Sequence, residues 1–166
     1  KFLYRGEGSE VGNVTPIPIV DLLEDFNKQG GIGGTTTGTK VTERTYVSTD
    51  PHYAFNYTLT RDFKTGDFLE EARGVWVIKK SVLELEDLQA KYETALERAI
   101  KGVIPLRYVE RLLVTEKTRE QILQRYGAEN AQLFGRSIKD VVQAALNTDL
   151  NETRDLFVKT ILELNL

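Results

Sequence analysis

The stretch RGVWVIKKSV, residues 73–82, constrains the fold more than any other part of the chain. Val75, Trp76, Val77 and Ile78 form an unbroken apolar run of strand-favouring side chains, closed by Lys79 and Lys80. Such residues fit a pleated, buried surface, so the run suits the central strand of a sheet. Partner strands are readable on either side. KFLYRG (1–6) reads as a short strand ending at Gly6. KVTERTYVST (40–49) alternates with period two, as a half-buried strand does. VIPLRYVERLLVTE (103–116) ends as a strand of Leu112, Leu113 and Val114.

Helices are predicted by a different spacing. VDLLEDFNKQGG (20–31) carries Asp21 as a cap, Val20, Leu23 and Phe26 on one face, and a stop at Gly30-Gly31. Pro51 suits the first position of another helix. Leu85, Leu88, Tyr92, Leu96 and Ile100 recur at three- and four-residue steps, which predicts a helix over 83–102. Beyond Thr115, KTREQILQRYG, RSIKDVVQAALN and ETRDLFVKTILEL predict three more. Strands therefore occupy the first two-thirds and helices the last third, an α+β pattern. At 166 residues the chain fits one domain of common size. GGIGGTTTGT (30–39) is a turn-forming stretch that lacks the Lys of a phosphate-binding P-loop.

Composition narrows the function classes. With 40% hydrophobic residues the chain can build a core, and its net charge of −3 offers no basic excess for nucleic acid. The absence of Cys excludes disulfides and thiolate metal sites, and a single His leaves little for a transition metal. No apolar run approaches the roughly 20 residues of a membrane span. The chain begins at Lys1 and contains no Met, as a piece of a longer protein would.

Several polar residues stand at the ends of the predicted strands. Arg5 closes FLYRGEG, and Ser48 and Thr49 close TYVSTD. Glu97 stands eight residues before Pro105 in LERAIKGVIPLRYVERLLV. In this order the segments resemble the cholera/pertussis-toxin-like mono-ADP-ribosyltransferases. That family carries an arginine on a first strand, a Ser-Thr-Ser motif on a second, and a catalytic glutamate on a later one. DLLEDFNKQGGIGG resembles the segment after the arginine, and GVWVIKKSV is similar to the next central strand. The steps of 43 residues from Arg5 to Ser48 and 49 from Ser48 to Glu97 are ordinary for the family. The resemblance covers about residues 2–115.

The resemblance implies a split, mixed β-core flanked by helices, with an NAD⁺ cleft between two small sheets. It implies a catalytic core over 1–115 and a helical C-terminal extension over 116–166 packed on it. Glu97, Arg5 and Ser48 would be catalytic. Arg5, Gly6, Ser48, Thr49, Tyr53 and Phe63 would bind NAD⁺ as co-substrate, without a metal. Tyr53, Phe55, Tyr57 and Phe63 are candidate neighbours for a nicotinamide ring, and His52 adjoins the motif. The chemistry agrees with the residue types. Cleaving the nicotinamide–ribose bond builds oxocarbenium-like charge that a carboxylate can stabilise. An arginine fork binds the pyrophosphate.

Three features depart from the family pattern. Asp50 replaces the third motif residue, Ala95 stands where many members have Glu or Gln, and no His lies between the first two motifs. Glutamate at the position of Ala95 is typical of arginine modifiers, so the resemblance leaves the acceptor residue type open. The family also needs its glutamate on or beside a strand, whereas 83–102 has helical spacing; Glu110 on RYVERLLV is the alternative. The resemblance implies a secreted bacterial toxin or effector with a protein acceptor in a target cell. An inhibitor or delivery partner would meet 116–166. An NAD⁺ glycohydrolase and a non-catalytic binding module on the same fold are the rival readings, and a nuclease toxin is a poorer one.

Overall fold

A computed structural model describes residues 1–8, 17–33, 44–59, 64–67, 69–85, 96–127, 130–147 and 149–166. The elements among them are β1 (Phe2–Glu7), α1 (Ile19–Gln29), β2 (Gly31–Ile32), β3 (Arg44–Ser48), α2 (Pro51–Asn56), β4 (Gly74–Lys79), β5 (Glu97–Lys101), β6 (Ile104–Pro105), β7 (Val109–Thr115), α3 (Glu116–Tyr126), β8 (Gln132–Leu133), β9 (Arg136–Ser137), α4 (Ile138–Val141), β10 (Val142–Leu146) and α5 (Leu150–Glu163). Six strands make one mixed sheet in the order β10-β7-β4-β1-β3-β5. Only the β10–β7 pair within it is parallel. The chain is thus α+β, with a mixed six-stranded sheet and several helices.

The apolar run at 75–78 lies in β4, one of the sheet's two central strands, and all four residues are fully buried. Strand alternation sends Trp76 and Ile78 to one face and Val75 and Val77 to the other. On the first face they meet Ile19, Leu22, Leu23 and Phe26 of α1 and Ile122 of α3. Phe26 sets its ring edge-on to Trp76, with centroids 5.9 Å apart. On the second face lie Ala54 and Phe55 of α2 and Phe157 and Ile161 of α5. The rings of Phe55 and Phe157 stack at 5.3 Å. Helices therefore cover both faces of the sheet.

Local signals place several boundaries. α1 stops at Gly30, whose φ of 75° is the left-handed conformation that glycine reaches without a Cβ penalty. It starts after Pro18, and the Asp21 side chain makes no cap bond. Asp21 instead sits in the first turn, where a carboxylate complements the helix dipole, and it pairs with Arg125 at 3.1 Å. α2 starts at Pro51.

Two segments with helical spacing are strands. Glu97–Lys101 is β5, because pairing with β3 buries Ala99 and Ile100 completely. Residues 80–85 form a 3-10 turn, and 86–95 of the predicted helix lie outside the described residues. In RSIKDVVQAALN the helix ends at Val141, and Val142–Leu146 joins the sheet beside β7. The C-terminal segment is therefore helical only in part. Among the described residues β3 and β5 stay joined to β1 in the main sheet, and the other ladders, β2–β6 and β8–β9, have two residues per strand.

Candidate functional site

The seam between β1 and β3 holds most of the polar residues singled out in the sequence. β1 pairs with β4 along six residues but with β3 only at Tyr4↔Ser48. Arg5 occupies the place where further pairing would occur. Its Nη1 donates to the carbonyl of Tyr46 at 3.0 Å, and its Nε to Glu7 at 3.1 Å. The side chain is 19% exposed, and Nη2 has no hydrogen-bond partner among the described residues. The N–H groups of Nη2 are what this guanidinium can still offer an anion.

Ser48 ends β3 and Glu97 begins β5, and the two are direct register partners. Opposed residues in an antiparallel pair share a face, with Cβ atoms about 4.5–5.5 Å apart. The pairing that converts 97–101 into strand thus also brings Glu97 beside Ser48. Ser48 is buried, and its Oγ accepts from the backbone N–H of Asp50 at 3.0 Å. Asp50 caps α2 in turn, accepting from the His52 backbone N–H at 2.8 Å. Asp50 thereby fixes the start of the helix that follows. Thr49 is exposed in the bend between them.

Partial burial pushes the Glu97 carboxyl above its ordinary pKa, while Tyr53 and the nearby Arg5 guanidinium draw it back. The Tyr53 phenol is hydrogen-bonded to Tyr57, with hydroxyls 3.2 Å apart and ring centroids at 5.5 Å. Its own pKa is raised, first by the bond to Tyr57, then by burial and by the charge of Glu97.

Gly6 sets the distance between this helix and the sheet. A Cβ there would lie 1.9 Å from the carbonyl oxygen of Ala54 and 2.9 Å from Cβ of Tyr57. Only a residue without a side chain lets α2 approach β1 so closely. The sequence marked Gly6 as a strand end; the strand runs on to Glu7, and the glycine serves close approach instead. Glu7 and the Tyr53–Tyr57 contact were not singled out by sequence, although the four-residue spacing of the two tyrosines is the spacing of neighbours on a helix.

The other candidates are placed differently. Phe55 is buried against Phe157 and belongs to the core. His52 contributes its backbone N–H to the helix cap. Glu110 lies on β7, two strands from β1 on the side away from β3 and β5, and its carbonyl accepts from Arg136. The structure thus gathers Arg5, Gly6, Ser48, Tyr53 and Glu97 and leaves Glu110 apart. Phe63 and Ala95 lie outside the described residues. A separate groove of about 580 Å³, lined by Asp21, Glu71, Gln121 and Arg125 among others, contains none of the seam residues.

Among the described residues no group of three or more His, Asp or Glu side chains is placed to hold a metal ion. No described helix is long and apolar enough to cross a membrane. No protein-family model matches the chain, and neither a curated protein nor a solved structure is significantly similar to it.

Proposed function

We propose that the chain is a mono-ADP-ribosyltransferase domain of a secreted toxin or effector, moving ADP-ribose from NAD⁺ to a protein acceptor with release of nicotinamide. One observation carries the reading: Ser48 and Glu97 are direct register partners, and Arg5 follows Tyr4, the β1 residue with which Ser48 pairs, at the same seam. The groups needed to receive NAD⁺ fit. Among the described residues Nη2 of Arg5 makes no hydrogen bond, and Glu97 is a half-buried carboxylate that feels the charge of Arg5.

In this reading Arg5 binds the pyrophosphate, and Ser48 holds the strand end on which the ribose rests. Tyr53 flanks the nicotinamide. The bond between ribose C1′ and the nicotinamide nitrogen breaks, and nicotinamide leaves with the electron pair. Glu97 stabilises the positive charge left on the ribose, where a preorganised carboxylate acts most strongly. The acceptor's lone pair then forms the new bond to C1′, and its proton passes to a base or to water.

Ala95 favours a second reading, an NAD⁺ glycohydrolase, because water needs no acceptor-selecting side chain at that position. Labelled NAD⁺ and cell lysate separate the two. The transferase reading expects free nicotinamide together with labelled protein, and Glu97→Gln should lower both by at least about a hundredfold, the scale of losing one transition-state contact. Nicotinamide without labelled protein would favour hydrolysis. No release under any condition would remove both readings.

A further inference from the structure

We propose that Glu7 is a positioning residue for Arg5: its carboxylate, carried on the well-paired part of β1, fixes the guanidinium so that Nη2 is presented to the pyrophosphate of NAD⁺. The proposal rests on the site reading above and adds to it a second carboxylate whose task differs from that of Glu97.

Arg5 and Glu7 stand two residues apart on β1, so strand alternation puts both side chains on one face. There Nε of Arg5 donates to Oε1 of Glu7 at 3.1 Å. The pair is sheltered, with the glutamate side chain only 12% exposed. The backbone that carries Glu7 is fixed as well. β1 pairs with β4 from Phe2 as far as Glu7, whose register partner is Gly74. Glycine has no side chain to compete for the carboxylate. Among the described residues Arg5 is the one hydrogen-bond partner of that carboxylate.

The second anchor of Arg5 is the Tyr46 carbonyl, which accepts from Nη1 at 3.0 Å. The two anchors stand on different ground. Tyr46 belongs to β3, which is paired with β1 at Tyr4↔Ser48 alone. Glu7 belongs to β1 itself. A guanidinium tied at Nη1 alone still pivots about that bond. A second acceptor at Nε defines its plane, and a planar fork of fixed geometry then has one direction left in which to offer Nη2. The charge of Glu7 works the other way, since a carboxylate beside the cation weakens its pull on an incoming anion. An uncharged acceptor at the same place keeps the orientation and drops that opposition, which separates the two effects.

The test compares Glu7→Gln with Glu7→Ala in the full chain. Both lack the charge, and only glutamine retains an oxygen that accepts from Nε. The probe is ADP-ribose, which carries the pyrophosphate without the nicotinamide, titrated calorimetrically. The expected result is that Glu7→Ala binds about tenfold more weakly than Glu7→Gln, the scale of one charge-assisted hydrogen bond. Equal affinity in the two folded variants would overturn the proposal. A second readout needs no ligand. The Arg5 Nε–H signal in ¹⁵N NMR, assigned with Arg5→Lys, should be protected from solvent exchange in the parent and in Glu7→Gln, and should exchange faster in Glu7→Ala. Unchanged protection in Glu7→Ala would also overturn the proposal. If the parent binds no ADP-ribose and cleaves no NAD⁺, the proposed function falls, and the Nε–H exchange alone decides whether Glu7 holds Arg5. Where turnover is present, Glu7→Ala should raise KM for NAD⁺ relative to Glu7→Gln with kcat little changed, as loss of uniform binding does. A fall in kcat at unchanged KM would place Glu7 in the chemical step and overturn the positioning role.

Discussion

The two halves of the main sheet are built on opposite plans. From β10 to β1 the strands pair along most of their length, and β4 is buried on both faces by helices. Beyond β1, the β3–β5 ladder of five pairs hangs on the single Tyr4↔Ser48 pair, and at that junction a polar side chain takes over the work of the ladder. Arg5 reaches across to a backbone carbonyl that a regular strand would have used. The first half spends its side chains on burial. At the junction of the second, Nη2 of Arg5 has no hydrogen-bond partner among the described residues. The difference teaches that the seam can be opened only because the platform beside it is over-determined.

That contrast is broken most severely from the platform side. Trp76 is fully buried, with Phe26 at 5.9 Å and Phe134 at 6.1 Å from its ring. Trp76→Ala removes the largest buried side chain and leaves a cavity, with an expected loss of about 3–5 kcal/mol. Urea denaturation followed by far-ultraviolet circular dichroism measures it. A loss below about 1 kcal/mol would mean that the packing around β4 does not carry the platform.

Gly6→Ala tests the junction between the halves, with a smaller effect. The new methyl group would meet the Ala54 carbonyl, a backbone atom that cannot turn aside, so α2 must move away from β1. Overpacking of this kind costs about 1–3 kcal/mol. Because Tyr53 and Tyr57 ride on α2, the site should suffer more than the fold. Nicotinamide release should fall by at least about tenfold in protein that remains folded at the assay temperature, since small displacements of reacting groups are costly. Equal turnover in a folded variant would show that the seat of α2 does not matter to the site.

The same division explains what could be read from the sequence. The platform's elements carry their own local signals: the β-branched run at 75–78, the Gly30 stop and the Pro51 start all act within a few residues. β5 and β10 do not. ERAIK and VQAAL contain Ala, Arg, Glu, Lys and Gln, which helices accept readily, and they become strands because a neighbouring strand supplies partners. That pairing is long-range and invisible to periodicity. The candidate site was legible as chemistry and spacing, since Arg5, Ser48 and Glu97 could be chosen from a family resemblance. Its framework was less legible. Nothing local in FLYRGE says that Gly6 faces the backbone of a helix some 50 positions later, nor that Asp50 would draw the Ser48 hydroxyl into a cap.

The smallest expected effect is also the one whose sign separates a site from a scaffold. Burial raises the pKa of Glu97 in the folded chain, against the pull of Tyr53 and Arg5. A carboxyl with a raised folded pKa favours folding when protonated. Its contribution is complete below the unfolded value and is lost as pH rises through the folded one. At neutral pH an ionised Glu97 therefore costs stability, which a residue kept only for the fold would not do. Glu97→Gln removes the charge and keeps the shape, so it should raise Tm modestly at pH 7. The gain should shrink on acidification and vanish once Glu97 itself is protonated. Thermal melts of both proteins between pH 4 and pH 8 check the direction, and the variant should meanwhile have lost nicotinamide release. A variant less stable than the parent at pH 7 would mean that Glu97 pays its way through Arg5 as an ordinary ion pair, and the seam would then be one more stabilised edge of the sheet, alike in kind to the platform it adjoins.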